Sequence, residues 1–257
     1  MNFDFTGQVA IITGGSDGIG RATAELLAAS GAHVAICARG PEKLEATRAA
    51  IAEAGGSVEA HQLDVSDAET FAALVAEIAE RNGRLDMMVN NAMSVHYAPI
   101  EQLTNEHWQK DFAVNAEAVF TGTKAALKVM KPARSGSIVN ISSTTAIRAA
   151  PYMSSYSASK AAMIQFTAVA AMEAATSNVR VNAIVPGQVQ TAANEAYASK
   201  APDLASKTVD AIPMKRGGEP KELAASIAFL LSDASSYITG VALPVDGGKA
   251  AQLYLPS

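Results

Sequence analysis

At 257 residues, 49% of them hydrophobic and 18% charged, the chain has enough apolar material for one large core and too much to be disordered. Its 20 Lys plus Arg against 25 Asp plus Glu are scattered without a basic run, which argues against nucleic acid, and no stretch approaches the ~18 apolar residues of a membrane span. Cys37 is the only cysteine, so no intramolecular disulfide can form, and His33, His61, His96 and His107 lack ligand spacing, so no metal site is expected.

Met1 to Gln8 precedes an apolar run of only Val9 to Ile12, too short and wrongly flanked for a signal peptide, and the expected location is cytoplasmic. Val9 to Thr13 is the first of a series of short apolar runs. The others are Val34 to Ala38, Val58 to Leu63, Met87 to Val89, Ser137 to Ile141, Val179 to Val185 and Val241 to Val245. Apolar residues on consecutive positions suit strands covered on both faces. Helix patterns lie between them: Arg21 to Ser30 after the first, and Phe71, Leu74, Val75 and Ile78 at i, i+3, i+4 and i+7 after the third. Gly31 and Gly83 fall where helices would end, and Pro186 stops the chain after the sixth run. This alternation predicts an α/β fold, a single-domain Rossmann-type doubly wound parallel sheet of about seven strands with helices on both faces. Nothing divides residues 1–257 into domains, and the Ala-rich stretch at about 188–207 is expected to form a substrate lid.

After the first strand the chain reads Thr13-Gly14-Gly15-Ser16-Asp17-Gly18-Ile19-Gly20. In a parallel sheet a pyrophosphate would meet the helix N-terminus here, where free N–H groups and the positive dipole end favour it and glycines permit close approach. The spacing Gly-x-x-x-Gly-x-Gly is one residue longer than the common dinucleotide fingerprint, and an ordinary tight turn is the alternative.

Tyr156 and Lys160 stand four residues apart at the start of a helical segment, so both project from one face. With the glycine turn come Asp64-Val65, Asn90-Asn91-Ala92, Asn115, Ile141-Ser142-Ser143, Tyr156-Ser157-Ala158-Ser159-Lys160, Pro186-Gly187 with Thr191, and Val245-Asp246-Gly247-Gly248. In order and spacing, over almost the whole chain, these resemble the short-chain dehydrogenase/reductase family. The resemblance implies hydride transfer between nicotinamide and a carbonyl or alcohol carbon, with Asn115, Ser143, Tyr156 and Lys160 catalytic. Tyr156 would be the general acid/base, which near neutral pH requires about 4 kcal/mol of differential phenolate stabilisation. Lys160 would supply positive charge and hold the nicotinamide ribose, Ser143 would bind the substrate oxygen, and Asn115 would position a relay water. Ser142 is passed over because strand neighbours point oppositely. The structural alternatives are a core tyrosine, a solvated lysine, a capping serine and a helix-kink asparagine.

By the same resemblance the cofactor would touch Gly14, Ser16, Asp17, Gly18, Ile19, Gly20, Arg39, Asp64, Val65, Asn91, Ala92, Tyr156, Lys160, Pro186, Gly187, Val189 and Thr191. Asp64 as a helix N-cap is the competing reading. Relatives selecting NAD commonly end the second strand with a carboxylate, whereas this chain has Ala38-Arg39, so NADP(H) is expected over NAD(H). Asp17 is the contrary sign, unless it points away or pairs with Arg39. The chain also departs from the family pattern at Met93 and Ala146, where glycine is usual.

The substrate-flanking segments, Ala146 to Met153 and Gln188 to Tyr197, are mostly apolar, so a largely apolar ketone or secondary alcohol is expected, bound to Ser143 and Tyr156. A 3-oxoacyl-carrier reductase is an alternative, since Lys124, Lys128, Lys131 and Arg134 could meet an acidic carrier. A non-catalytic nucleotide sensor or scaffold is the alternative of another class. The resemblance further implies a homotetramer, with Asn105 to Met130 and Ser155 to Ala175 as candidate interface elements.

Overall fold

The computed structural model describes residues 3–191, 194, 199 and 202–252. Seven strands form one parallel sheet: β1 Val9–Thr13, β2 His33–Ala38, β3 Ser57–Gln62, β4 Met87–Asn90, β5 Gly136–Ile141, β6 Val179–Pro186 and β7 Ala242–Val245. Their order is β3-β2-β1-β4-β5-β6-β7. The predicted runs and the predicted doubly wound sheet are both present, with ends shifted by a residue or two.

The helices are α1 Gly18–Ala29, α2 Pro41–Glu53, α3 Ala68–Asn82, α4 Asn105–Phe112, α5 Ala118–Ala133, α6 Ser154–Ala175, α7 Pro202–Asp210 and α8 Pro220–Leu231. Alternating residues of β1 serve two cores. Val9 and Ile11 pack with Phe71, Val75 and Ile78 of α3 and with Ala125 and Ala126 of α5. Ala10 and Ile12 pack with Ala24 and Leu27 of α1 and Ile227 of α8. A strand buried on both faces cannot alternate apolar with polar, which is why β1 reads as a continuous apolar run.

Two polar devices fix the helices to the sheet. The Arg180 guanidinium donates to the carbonyls of Leu230, Leu231 and Ser232 at 2.5, 3.1 and 3.0 Å, closing the C-terminus of α8. Asn90 donates to Asn140 Oδ1 at 2.8 Å, and Asn140 donates to Thr167 Oγ1 at 2.9 Å, so a buried amide chain joins β4, β5 and α6. Capping of α3 falls to Asp67, which accepts from Thr70 N at 3.1 Å, and not to Asp64.

The sheet order reverses between β1 and β4, and in such sheets the crevice beyond the strand C-termini at the reversal is where ligands bind. Much of the expected lid lies outside the described residues, including Tyr197 and Lys200. Within it, Val189 bridges to Gly218.

Candidate active site

The glycine turn is built at this reversal. Gly14 and Gly15 donate to the Cys37 carbonyl at 2.8 and 3.3 Å, while the Thr13 hydroxyl accepts from Asn91 N and Ala92 N at 2.9 and 3.0 Å. The Asn91 side chain returns to the carbonyls of Thr13 and Gly14 at 2.9 and 3.2 Å, bracing the turn from β4. Gly14 and Gly18 have φ of 65° and 51°, the left-handed region that favours glycine. A Cβ on Gly20 would lie 2.2 Å from the Gly14 carbonyl oxygen, so the start of α1 can pack against the turn only with glycine at this position. Ser16 and Ile19 are half-buried in the same turn. A Cβ on Gly18 would lie 3.1 Å from Thr191 Cγ2, which sets the segment after β6 directly across from the turn. Gly187 is similarly confined, 2.8 Å from Asp246 Cα by the same measure, and Val189 beyond it is buried. This cradle of glycines at a helix N-terminus fits a dinucleotide pyrophosphate.

Asp17 is the N-cap of α1, accepting from Gly18 N at 2.8 Å, and its other carboxylate oxygen lies 2.6 Å from Lys43 Nζ. The hydrogen bond from Lys43 holds its carboxyl below the usual value against the effect of burial. Of the two possibilities open in the sequence, that Asp17 points away or pairs with Arg39, the pairing is not made: Lys43, in the first turn of α2, is the partner. Arg39 follows β2 and is exposed. Its charge reaches Asp64, whose carboxyl is raised by burial but held below its usual value by hydrogen bonds from Ser66 and by the charges of Arg39 and Lys110. Val65 is buried in the core beside it.

Tyr156 and Lys160 lie on the first turns of α6, both buried, with Lys160 Nζ 5.9 Å from the Tyr156 ring centroid. Lys160 donates to the Ile141 carbonyl at 2.7 Å. Burial pushes it down to about 7. Burial pushes the Tyr156 phenol up to about 12, opposed by a hydrogen bond from Ser143 and assisted by the nearby Tyr97 and Asp111. Ser142 points away, donating to the Lys160 carbonyl at 3.0 Å. Ser143 also caps the turn Thr144–Ala146, accepting from Thr145 N at 3.2 Å, so the capping role and the contact with Tyr156 coexist.

Asn115 sits in a π-helical segment, Ala113–Glu117, that interrupts the run from α4 to α5. Its amide donates to Ser94 O at 2.8 Å and Ser159 Oγ at 3.1 Å, and its Oδ1 accepts from Ser94 N at 3.0 Å. It thus ties the segment after β4 to the residue preceding Lys160. Such bulges loosen the helical hydrogen-bond ladder and are frequent at functional sites.

Sequence reasoning missed Asp111 and His96. Asp111 is fully buried and accepts from Ser94 Oγ, His96 N, His96 Nδ1 and Ser155 Oγ at 2.8, 3.2, 2.8 and 2.5 Å. The one available signal was its spacing, four residues before Asn115.

A family model described as Enoyl-(Acyl carrier protein) reductase matches residues 14–250. Relatives align over nearly the whole chain: a 3-oxoacyl-[acyl-carrier-protein] reductase of Thermotoga maritima is 38% identical, covering 94% of this chain and 97% of its own. The chain belongs to the short-chain dehydrogenase/reductase family. Levodione reductase of Leifsonia aquatica is 37% identical over 96% of each chain. A crystal structure of levodione reductase superposes with a TM-score of 0.93 at 37% identity, covering 97% of this chain and all of that one. A putative gluconate 5-dehydrogenase from Beutenbergia cavernae with bound NADP matches at TM-score 0.93 and 35% identity, covering 98% of this chain and 100% of that one. NAD+-bound xylitol dehydrogenase matches at 0.91 and 32%, covering 95% and 99%. As a short-chain dehydrogenase/reductase, the chain is an NAD(P)-dependent oxidoreductase acting on alcohol or ketone groups. No helix among the described residues is long and apolar enough to cross a membrane.

Proposed function

We propose that this enzyme interconverts a largely apolar ketone and its secondary alcohol, with Tyr156 as general acid/base and NADP(H) as the preferred cofactor. The observation that carries the reading is the buried Tyr156 phenol, hydrogen-bonded to Ser143, with Lys160 one helical turn away. When bound, the nicotinamide supplies or accepts hydride at C4. Ser143 hydrogen-bonds the substrate oxygen and shares its developing negative charge. Tyr156 gives that oxygen its proton in reduction and takes it back in oxidation. The buried phenol holds its proton at neutral pH, the state a general acid needs. Oxidation needs the phenolate, and a Lys160 that carries its proton when the site is filled would favour it.

NADP(H) is favoured by the absence of a carboxylate at Ala38, by the exposed Arg39, and by Lys43, which neutralises Asp17. Following nicotinamide absorbance across a panel of ketones and secondary alcohols tests the assignment. Absence of turnover with either cofactor would favour a nucleotide-binding sensor instead.

The 38% identity to a 3-oxoacyl-[acyl-carrier-protein] reductase keeps carrier-bound substrates as a second reading. Lys124 stacks over the Phe120 ring at 5.4 Å, and Lys131 lies in the last turn of α5 with Arg134 as its C-cap, where cations suit the helix dipole. Those positions serve helix and surface chemistry without a carrier, and assay of a carrier-bound 3-oxoacyl thioester separates the readings.

We also propose a homotetramer. Phe120, Val169 and Met172 expose apolar surface on α5 and α6, at 49%, 47% and 64%. Light scattering that reports a monomer would overturn this assembly.

A further inference from the structure

Asp111 is a carboxylate with no exposed surface, and such a group is costly to bury unless it is hydrogen-bonded or paired. Its four donors come from two places: the segment directly after β4 (Ser94 and His96) and the residue directly before Tyr156 (Ser155). Ser155 donates to the carboxylate and not to the imidazole, so the three residues are not arranged for nucleophilic catalysis, in which the histidine must take the serine proton.

His96 Nδ1 faces the Asp111 carboxylate at 2.8 Å, which leaves Nε2 as the opposite edge of the ring. Among the described residues nothing hydrogen-bonds Nε2. The ring plane is fixed by stacking on His107, with centroids 4.1 Å apart and planes within 13°. The histidine side chain keeps 23% of its surface exposed. The segment that carries it is also tied to the turn before α6, where Ala98 N donates to the Tyr152 carbonyl at 3.0 Å. The next residue, Tyr97, lies near enough to Tyr156 to oppose ionisation of its phenol. His96 is thus tied through Asp111 to Ser155, the neighbour of Tyr156, and its ring is oriented by Asp111 and His107.

We propose that His96 Nε2 hydrogen-bonds a second oxygen function of the substrate, a hydroxyl on an otherwise apolar ketone, and that Asp111 is the positioning residue that aims it. The inference rests on the reading of the Tyr156 site as a ketone/alcohol centre. It narrows the substrate to hydroxyketones and the corresponding diols.

The test uses cyclohexanone and 4-hydroxycyclohexanone with NADPH and NADH. Wild type should favour the hydroxyketone in kcat/KM by about ten-fold, the worth of one good hydrogen bond, with most of the difference in KM. His96→Phe should bring that ratio toward one, while His96→Gln, whose amide can still hydrogen-bond a hydroxyl, should restore part of it. Asp111→Asn should lower the ratio as well. A parallel measurement needs no variant: cyclohexane-1,4-diol should inhibit wild type more tightly than cyclohexanol. Equal efficiency on both ketones, or equal losses on both in His96→Phe, would overturn the role of His96 alone. Wild type that reduces neither ketone with either cofactor would overturn the reading of the site along with it.

Discussion

Lys43 Nζ meets the Asp17 carboxylate at 2.6 Å, bridging the N-cap of α1 to the first turn of α2. The pair closes the glycine turn from the side of β2, where Thr47 also donates to the Ser16 carbonyl at 3.3 Å. Without Lys43, Asp17 would present a bare negative charge to a 2′-phosphate. Lys43→Ala should therefore weaken NADP(H) several-fold more than NAD(H), by kcat/KM for each cofactor. In Ala38→Asp/Arg39→Leu the preference should reverse toward NAD(H), and a wild type that already prefers NAD(H) would sink the assignment.

Removal of the Tyr156 hydroxyl in Tyr156→Phe should reduce turnover at least ~100-fold while cofactor binding, followed by fluorescence titration, survives. Lys160→Ala should harm both, since cofactor contact and electrostatic support are both assigned to it. Unchanged cofactor affinity in that variant would remove the ribose contact from the scheme.

The cofactor-free protein should gain stability as pH rises from about 7 toward 10.5, because over that range the unfolded chain protonates Lys160 and the folded chain does not. The sign reverses between 10 and about 12, where the folded protein keeps the Tyr156 proton that the unfolded chain has lost. The lysine contribution amounts to ~5 kcal/mol at most, and urea denaturation of wild type against Lys160→Met across this range should isolate it. Parallel stability curves for the two proteins would show that the amine is not desolvated as described.

Gly20→Ala should cost about 2 to 3 kcal/mol, because the new methyl would meet the Gly14 carbonyl oxygen at 2.2 Å and Asn91 Nδ2 at 2.5 Å, and backbone cannot yield cheaply. Gly40→Ala is the contrast: its Cβ would meet nothing within 4 Å, and a change within ~1 kcal/mol is expected. Thermal melts of both variants decide the matter.

Residues whose meaning is local were legible in the sequence. The two-sided burial of β1 shows in Val9 to Ile12, and the glycine turn and the Tyr156 to Lys160 spacing declare themselves within eight residues. Pairings made by the crossovers did not show. Asp17 and Lys43 are 26 positions apart and Asp111 and Ser155 are 44 apart, so neither period nor motif links them. Asp111 reads in the chain as an ordinary polar position of an amphipathic helix, and only the packing of α4 against α6 turns it inward. Asp64 shows the reverse: its setting before a helix suggested a cap, but the Asx turn with Ser66 moves the helix start three residues on, to Asp67.

Cys37 lies fully inside β2, with its carbonyl holding the glycine turn and burial pushing its thiol up to about 12. As the chain's sole sulfhydryl it is chemically silent while β2 remains paired with β1 and β3. Alkylating reagents can reach it only when the strand opens, so the rate of labelling becomes a clock for local unfolding at the nucleotide end of the sheet. The native protein thus carries its own reporter: ligands that grip the turn should slow that clock, and those that bind elsewhere should leave it running.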